Sequence, residues 1–218
     1  CHNLHGNQKI DKAIQYCQSR RLLTAINRPT TLWCCYEGDF VHDGRIILPF
    51  HDSNNQIIFY QSRAIEFGPN LPNYLGKKGG VKSIFNFDKI NGTLDHVFIF
   101  EGPIDACFVE NGIAVAGITQ KGGTNFTDVQ QRQMDSLLLM KRIWVLDNQW
   151  IDETARSKSN YLIDQGELVF IWPKELKQYK DLNQYCIEKK VDSVESTLFT
   201  TNVFTNKLKA KLKLQLCK

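Results

Sequence analysis

Two carboxylates stand four residues apart, directly after an apolar stretch, in a pattern that can hold a divalent metal ion. Residues 97–100 are β-branched or aromatic, which is typical of a strand buried on both faces, and the run ends at Glu101. Gly102 permits a tight turn and Pro103 suits the first position of a helix, so Asp105 should fall in the first helical turn. Both carboxylates are therefore predicted at the carboxyl edge of a parallel sheet, where open α/β sheets bind ligands.

From residue 96 onward, apolar runs alternate with helical patterns, which predicts a parallel sheet flanked by helices. The predicted elements are a helix at 103–111, a strand at 113–116, a helix at 128–139 capped by Thr127, a strand at 143–146, a helix at 151–165 and a strand at 168–172. The strand at 143–146 ends at Asp147, so a second acid would lie at the same sheet edge. Spacing alone leaves a structural role open, since Asp105 can cap helix amides and Glu101 can be a solvated strand end.

The residues before 96 have the pattern of a smaller and more basic unit. A short amphipathic helix is predicted at 9–21, and the apolar runs 44–50 and 56–65 flank a polar turn, which predicts a β-hairpin. Residues 68–80 are rich in Gly, Pro and Asn and form a lysine-bearing loop. At the other end of the chain, residues 207–214 alternate Lys with Leu or Ala; because these are strong helix formers, we predict a basic terminal helix.

Composition and charge narrow the class of protein. The 218 residues are 42% hydrophobic and 23% charged, which is enough for a substantial core. Lys and Arg outnumber Asp and Glu by 11 to 8 in residues 1–95 and by 7 to 3 in residues 187–218, whereas the acids lead by 12 to 9 in residues 96–186. An acidic middle between basic flanks suits a metal-dependent enzyme of nucleic acids.

No run of about 18 apolar residues and no secretory leader occurs, so we expect a cytoplasmic protein without a membrane span. Seven cysteines without a paired C-x-x-C encode neither a disulfide framework nor a complete zinc site.

The segment Glu101-Gly102-Pro103-Ile104-Asp105 resembles the Glu-Gly-x-x-Asp signature of the TOPRIM domain in bacterial and phage DNA primases. Other segments resemble primase segments in the same order along residues 10–186: the hairpin that ends at Arg63, Tyr74-Leu75 with nearby lysines, Leu146-Asp147-Asn148-Gln149 and Lys180-Asp181-Leu182-Asn183. The chain departs from the family pattern at Asn73, where members often have lysine, at Gln149, where the pattern has an aspartate, and at Asn183, where some members have a further acid.

The resemblance implies a TOPRIM-type parallel sheet flanked by helices, preceded by a smaller basic α+β subdomain with a β-hairpin. It divides the chain into a template-binding subdomain at 1–95, a TOPRIM catalytic domain at 96–186 and a basic helical tail at 187–218. The tail could contact nucleic acid or a replicative helicase, or simply pack against the domain.

The resemblance also implies roles for individual residues. The expected catalytic residues are Glu101, Asp105 and Asp147, and the expected ligands of Mg²⁺ or Mn²⁺ are these three with Asp181. Gln149 could still supply a neutral oxygen, and Asp152 could reach in from the next helix. The residues expected to bind nucleic acid are Arg45, Arg63, Lys77, Lys78 and Lys82, with surface solubility as the alternative role for the arginines. Cys1, His2 and His5 could be the last Zn²⁺ ligands of a module upstream, or a solvated terminus.

The expected function is synthesis of short RNA primers on a single-stranded DNA template from ribonucleoside triphosphates, beside a replicative helicase and away from membranes. A bacterial or phage-infected host cell is the expected setting. Two alternatives stand: a catalytically weakened primase-like module that binds nucleic acid or helicase, and a TOPRIM nuclease. A nuclease would cleave DNA without incorporating nucleotides.

Overall fold

The first half of the chain forms an antiparallel sheet of four strands behind one helix. The structure is a computed structural model that describes residues 4–36, 40–66, 68, 71–117 and 126–217. Helix α1 (Leu4–Ser19) precedes the strands β1 (Trp33–Cys35), β2 (Arg45–His51), β3 (Ile57–Ala64) and β4 (Tyr74–Gly76), which pair in that order. The β2–β3 hairpin is confirmed. Its turn is fixed by the Asp52 carboxylate, which accepts the backbone N–H groups of Asn54 and Gln56 at 2.9 Å each.

The second half forms a parallel sheet with helices around it. Its strands are β5 (His96–Phe100), β6 (Gly112–Ala114), β7 (Lys141–Val145) and β8 (Leu168–Val169), in the order β6-β5-β7-β8. The helices are α2 (Pro103–Ala106), α3 (Asp128–Asp135), α4 (Glu153–Asp164), α5 (Leu182–Lys189), α6 (Ser196–Thr200) and α7 (Lys207–Gln215). Strand β5 lies between β6 and β7, so the two central strands both carry acids at their carboxyl ends. The predicted parallel sheet flanked by helices is confirmed.

Local sequence signals explain several element ends. Thr127 caps α3 in a capping box, in which its side chain accepts the N–H of Gln130 and the Gln130 side chain accepts the N–H of Thr127. Gly166, at φ +85°, follows α4 and ends it, because glycine adopts this left-handed conformation without strain. The terminal segment is helical, because the buried residues Ala210, Leu214 and Cys217 recur at helical spacing and pack against α4.

Three element predictions needed correction. The helix predicted at 103–111 is only α2, because the chain must turn directly into β6. Asn111, at φ +57°, fixes that turn by donating to the carbonyls of Asn91 and His96 at 3.0 Å each. The strand predicted at 168–172 is reduced to β8. Two helices were not predicted: α5, which crosses the boundary at 186/187, and α6, which lies within the tail. Among the described residues, no helix is long and apolar enough to span a membrane.

A shared aromatic core joins the two sheets. Phe50 of β2 packs edge-on against Phe59 and Phe85, with ring centroids 5.1 and 5.2 Å apart, and the same cluster of buried residues contains Phe98 and Phe100 of β5. The proposed division at 1–95, 96–186 and 187–218 stays a prediction about folding units. The shared core means that the two sheets hold one another in place.

Candidate active site

A cleft of about 380 Å³ lies where the carboxyl ends of β5 and β7 face the β3–β4 pair. One side carries the acids, which we call the acidic wall: Glu101, Asp105, Asp147 and Asp181. The other side, which we call the basic wall, carries Arg20, Gln61, Arg63 and Tyr74. The structure therefore brings together all four predicted metal ligands and one of the predicted nucleic-acid residues, Arg63.

Four different elements position the acidic wall. Glu101 follows β5 directly, Asp105 lies in α2, Asp147 follows the end of β7, and Asp181 is the residue at which α5 begins. The Asp181 carboxylate accepts the N–H of Gln184 at 2.7 Å and so caps its helix. Sequence spacing placed the first three residues at the sheet edge, whereas Asp181 reaches the cleft because α5 begins there.

Ionisation of the Asp105 carboxyl is unfavourable in this cleft. Burial raises the pKa of its carboxyl well above the usual range, and the neighbouring carboxylates of Asp181 and Asp147 raise it further. The backbone N–H of Asn183 donates to Asp105 at 2.8 Å and opposes this shift. Asp105 does not cap its own helix, because the N-cap residue of α2 is Gly102 and makes no side-chain cap; it caps instead an N–H group in the first turn of α5. The capping role that spacing left open is thus observed, toward α5 and not toward α2, in addition to the place of Asp105 in the cleft.

Ionisation of the Asp147 carboxyl is also unfavourable, but less so than that of Asp105. Burial raises its pKa to about 6, and the negative charge of Asp181 adds to the effect. Lys180 opposes the shift, whereas Glu101 and Asp152 contribute to it. The acidic wall therefore holds more negative charge than its surroundings balance.

Lys158 is a cleft residue that sequence reasoning missed. Its ammonium group donates to both carboxylate oxygens of Glu101 at 2.8 Å, and the residue is 7% exposed. A lysine so deeply buried needs a charged partner. Its position three residues after the buried Ala155 and four before the buried Leu162 was the available signal, since it puts a charge on the apolar face of a predicted helix.

Asn183 joins three elements at the cleft. Its side-chain amide donates to the carbonyl of Arg20 at 2.8 Å and accepts from the Arg20 guanidinium at 3.1 Å, while its backbone N–H holds Asp105. The amide is therefore used as both donor and acceptor. An aspartate at this position would lack the donor.

The prediction that Gln149 could supply an oxygen to a metal ion is wrong, because its side chain is fully buried in the interior. The amide nitrogen donates to the hydroxyl of Ser159 and the carbonyl of Phe170, each at 3.0 Å. The amide oxygen accepts the N–H of Trp172 at 3.1 Å. Both of its amide N–H donors and its amide oxygen are thus engaged by the core. Asp152 does line the cleft, where it caps α4 by accepting the N–H groups of Thr154 and Ala155.

The basic wall is assembled from aromatic and cationic side chains. The Nε of Arg63 donates to the hydroxyl of Tyr16 at 3.0 Å, and its guanidinium lies 4.7 Å from the ring centroid of Tyr74. Burial raises the pKa of Tyr74, so its hydroxyl stays protonated. Arg20 lies over the ring of Tyr16 at 5.4 Å. The contacts with Tyr16 and Tyr74 thus hold the Arg63 side chain in one orientation at the cleft.

The other basic residues singled out in the sequence lie outside the cleft. Arg45 is buried, and its guanidinium donates to the Ser62 hydroxyl at 2.8 Å and to backbone carbonyls that include Pro72 at 2.9 Å. This geometry supports a structural role. Lys77 and Lys78 are exposed, and Lys82 is exposed with its ammonium group 3.5 Å from the carbonyl of Ala116.

The donor chemistry of the acidic wall fits a hard divalent cation, because the wall offers clustered carboxylate oxygens. Burial, and after it the neighbouring carboxylates, raise the pKa of Asp105 and Asp147. Within the described ranges, no three His, Cys, Asp or Glu side chains are already gathered around one point that could hold an ion. Cys1 and His2 lie outside the described residues, so the zinc prediction stays a prediction.

The chain is similar in sequence to the DNA primase of Enterobacteria phage T4, with 25% identity over 175 residues. The matched region is 80% of this chain and 47% of the phage protein, so the chain spans about half the length of that relative. No protein-family model matches the chain.

Solved structures with a similar fold are primase catalytic cores. The E. coli primase catalytic core superposes with a TM-score of 0.52 at 15% identity, over 91% of this chain and 64% of that one. A DnaG primase catalytic domain bound to single-stranded DNA gives 0.52 at 12% identity, over 94% and 71%. The Mycobacterium tuberculosis RNA polymerase domain of DnaG in complex with double-stranded DNA gives 0.52 at 16% identity, over 86% and 60%. The resemblance seen in the sequence is confirmed: this chain has the fold of the bacterial DNA primase catalytic core and is similar in sequence to a phage DNA primase.

Proposed function

We propose that this chain is the catalytic core of a DNA primase, which joins ribonucleotides into short RNA primers on a single-stranded DNA template. The observation that carries the proposal is the convergence of Glu101, Asp105, Asp147 and Asp181 from four elements into one cleft with a cationic opposite wall. A fold has no structural need for converging carboxylates that repel one another. Nucleotidyl transfer does need them.

The acidic wall is suited to hold Mg²⁺ or Mn²⁺ through Asp105, Asp147 and Asp181. When bound, such a cation neutralises charge on the triphosphate and favours ionisation of the attacking 3′-hydroxyl. Loading would also offset the burial and the mutual repulsion that raise the pKa of Asp105 and Asp147. Glu101 lies beside these three carboxylates, and both of its carboxylate oxygens accept from Lys158. This arrangement fits a positioning or acid–base role for Glu101.

Two further residues act through others and are positioning residues. Lys158 fixes the Glu101 carboxylate by a two-pronged contact, and Asn183 fixes Asp105 while tying α5 to the end of α1. Both interactions are partly shielded from water, which strengthens them. The carboxylates are therefore held in place before substrate arrives.

Template binding is assigned to the basic side of the molecule. Arg63 faces the cleft beside Tyr74 and can meet a phosphate or stack on a base, while Lys77, Lys78 and Lys82 offer exposed charges nearby in sequence. Arg45 would act indirectly, by fixing the β2–β3 hairpin and the residues before β4. A replicative helicase is the proposed protein partner, and the cytoplasm of a bacterial or phage-infected cell is the proposed location.

The test is primer synthesis on mixed single-stranded DNA with labelled ribonucleotides and Mg²⁺ or Mn²⁺. We expect short RNA products from the native chain and none from Glu101→Gln or Asp147→Asn. Glu110→Gln is a matched control, because it removes one exposed carboxylate outside the cleft. Template binding without product, even on a pre-annealed primer with either metal, would replace the proposal with a binding module. DNA cleavage without incorporation would replace it with a nuclease.

A further inference from the structure

Gln61, on β3, is a buried polar residue in the cleft that no interaction of the fold explains. It is 6% exposed, and its amide oxygen meets no hydrogen-bond donor among the described residues. A buried acceptor without a donor is rare in folded proteins and destabilises them. A bound ligand that donates a hydrogen bond to Gln61 would explain why this unpaired acceptor is present.

The residues beside Gln61 in the sheet do not supply the missing donor. In the sheet register it is paired with Leu48 of β2 on one side and with Gly76 of β4 on the other, and neither has a polar side chain. Phe59 precedes it on the same face of β3, and the guanidinium of Arg63 is directed to Tyr16 and Tyr74. Because Gln61 lines the cleft and its last torsion is soft, its amide can turn toward a bound molecule.

The chemistry of an unpaired acceptor excludes most groups of a nucleotide. Phosphate oxygens and ring acceptors offer no proton, so the partner must be a sugar hydroxyl or a base N–H. The base N–H groups differ in position among the four bases, whereas the ribose hydroxyls are common to all four ribonucleotides. A single acceptor that serves every ribonucleotide must therefore meet the sugar.

We infer that Gln61 binds a ribose hydroxyl of the incoming ribonucleoside triphosphate and favours it over the deoxy analogue. This inference rests on the proposed primase function and deepens it. Gln61 lies two residues, about 7 Å, along β3 from Arg63, and both residues line the same cleft as Asp105. A nucleotide whose phosphates lie between the two walls can place its sugar at Gln61.

The test is single-nucleotide extension of a pre-annealed primer with ATP, 2′-deoxy-ATP and 3′-deoxy-ATP, and then with the other bases. Gln61→Met keeps the length of the side chain and removes the amide, and Gln56→Met is the control in the exposed turn of the same hairpin. We expect Gln61→Met to lower kcat/KM about tenfold for all four ribonucleotides. The analogue that lacks the contacted hydroxyl should be used equally well by both proteins.

Other patterns overturn the inference. An equal loss for ribonucleotides and both deoxy analogues would mean that Gln61 only supports the fold, and a loss confined to particular bases would mean a base contact. The melting temperature separates these roles as well. Removing an unpaired acceptor should raise it by about 2 °C, whereas a structural role predicts a decrease.

Failure of the proposed function would be recognised separately. If the native chain extends no primer, calorimetric binding of ATP and 2′- and 3′-deoxy-ATP in Mg²⁺ still tests the sugar contact. Tighter binding of ATP than of one analogue, lost in Gln61→Met, would support the inference. Equal affinities for all three nucleotides, or a preference for ATP that persists in Gln61→Met, would refute it.

Discussion

The two walls of the cleft treat their charges in opposite ways. On the acidic wall, Asp105 and Asp147 are buried beside other carboxylates, and their pKa values are raised as a result. On the basic wall, Arg63 donates to Tyr16 and lies over the ring of Tyr74, so its charge is well supported. One wall is electrostatically unfavourable as it stands, and the charge of the other is supported by its neighbours.

This difference indicates where the molecule gives up stability for function. Clustered carboxylates in a protein interior lower the free energy of unfolding, and a bound cation or substrate restores it. The basic wall needs no such compensation except at Gln61, whose amide oxygen has no donor. Substitutions on the two walls should therefore change stability and activity in different combinations.

Gln149→Asp gives the largest expected effect and asks whether the acidic wall has lost a ligand. An aspartate there would be a buried charge without the donors that now satisfy Ser159 and Phe170, and we expect a loss of about 4 kcal/mol in the free energy of unfolding. Urea denaturation and primer synthesis are the measurements. Gln178→Asp, at an exposed loop position, is the control. A stable variant with increased activity would show that the position belongs to the metal site.

Asp147→Asn should separate stability from activity on the acidic wall. The folded-state pKa of Asp147 is raised from 3.8 to about 6, so the stability contributed by its protonated form is complete below 3.8 and is lost as the pH rises through 6. Asparagine escapes that loss. We therefore expect the variant to be more stable than the native chain above pH 6, by up to about 3 kcal/mol, and at least about 100-fold less active.

Urea denaturation between pH 4 and pH 8, without divalent metal, checks the Asp147 prediction. The stability difference between the variant and the native chain should disappear near pH 4, where the native carboxyl is largely protonated. A variant that is less stable than the native chain at pH 8 would contradict the electrostatic account.

The site residues that were easiest to predict from the sequence are the acids that come directly after a buried strand. The apolar run before Glu101 and the run before Asp147 each predict a buried strand that ends in an acid, and β5 and β7 are the central strands of the sheet. The hairpin and the capped helix α3 follow equally from local signals. Such predictions need only neighbours in the chain.

The rest depends on contacts between distant residues. Lys158 reaches Glu101 across 57 positions, and Asn183 reaches Arg20 across 163, which no local pattern encodes. The side chain of Gln149 enters the core because of packing around Phe170 and Trp172, and Gln61 is unpaired because of its register with Leu48 and Gly76. Side-chain direction at such positions is set by tertiary structure.

Lys158→Met tests whether Glu101 needs its partner. The variant leaves a half-buried carboxylate without the ammonium group, so we expect a loss of about 2 kcal/mol, reduced from the value for a fully buried pair because Glu101 is partly exposed. Thermal denaturation of Lys158→Met and of the double variant Glu101→Gln with Lys158→Met is the measurement. The double variant should regain stability but not activity. Equal stability of Lys158→Met and the native chain would remove the proposed positioning role.

Asn183→Asp tests the link between the two walls. The variant would keep an acceptor for the Arg20 guanidinium but lose the donor to the Arg20 carbonyl, and it would add a charge close to Asp105. We expect a loss of about 1 kcal/mol in stability and lower activity at saturating Mg²⁺. If the asparagine were a degraded metal ligand, the aspartate would instead increase activity and metal affinity.

The smallest effect, a change in salt dependence, should distinguish Lys78 from Arg45 outside the cleft. Lys78 is exposed, so if it contacts a template phosphate, Lys78→Gln should make the dependence of log affinity on log salt shallower by about 0.7. Arg45 donates to internal groups of Ser62, Pro72 and Asn73, so Arg45→Gln should lower the melting temperature and leave the salt slope unchanged. Fluorescence anisotropy with single-stranded DNA at several salt concentrations measures both slopes. Equal changes in the two variants would mean that Arg45 also reaches the template, and the basic surface would then extend onto the β2–β3 hairpin.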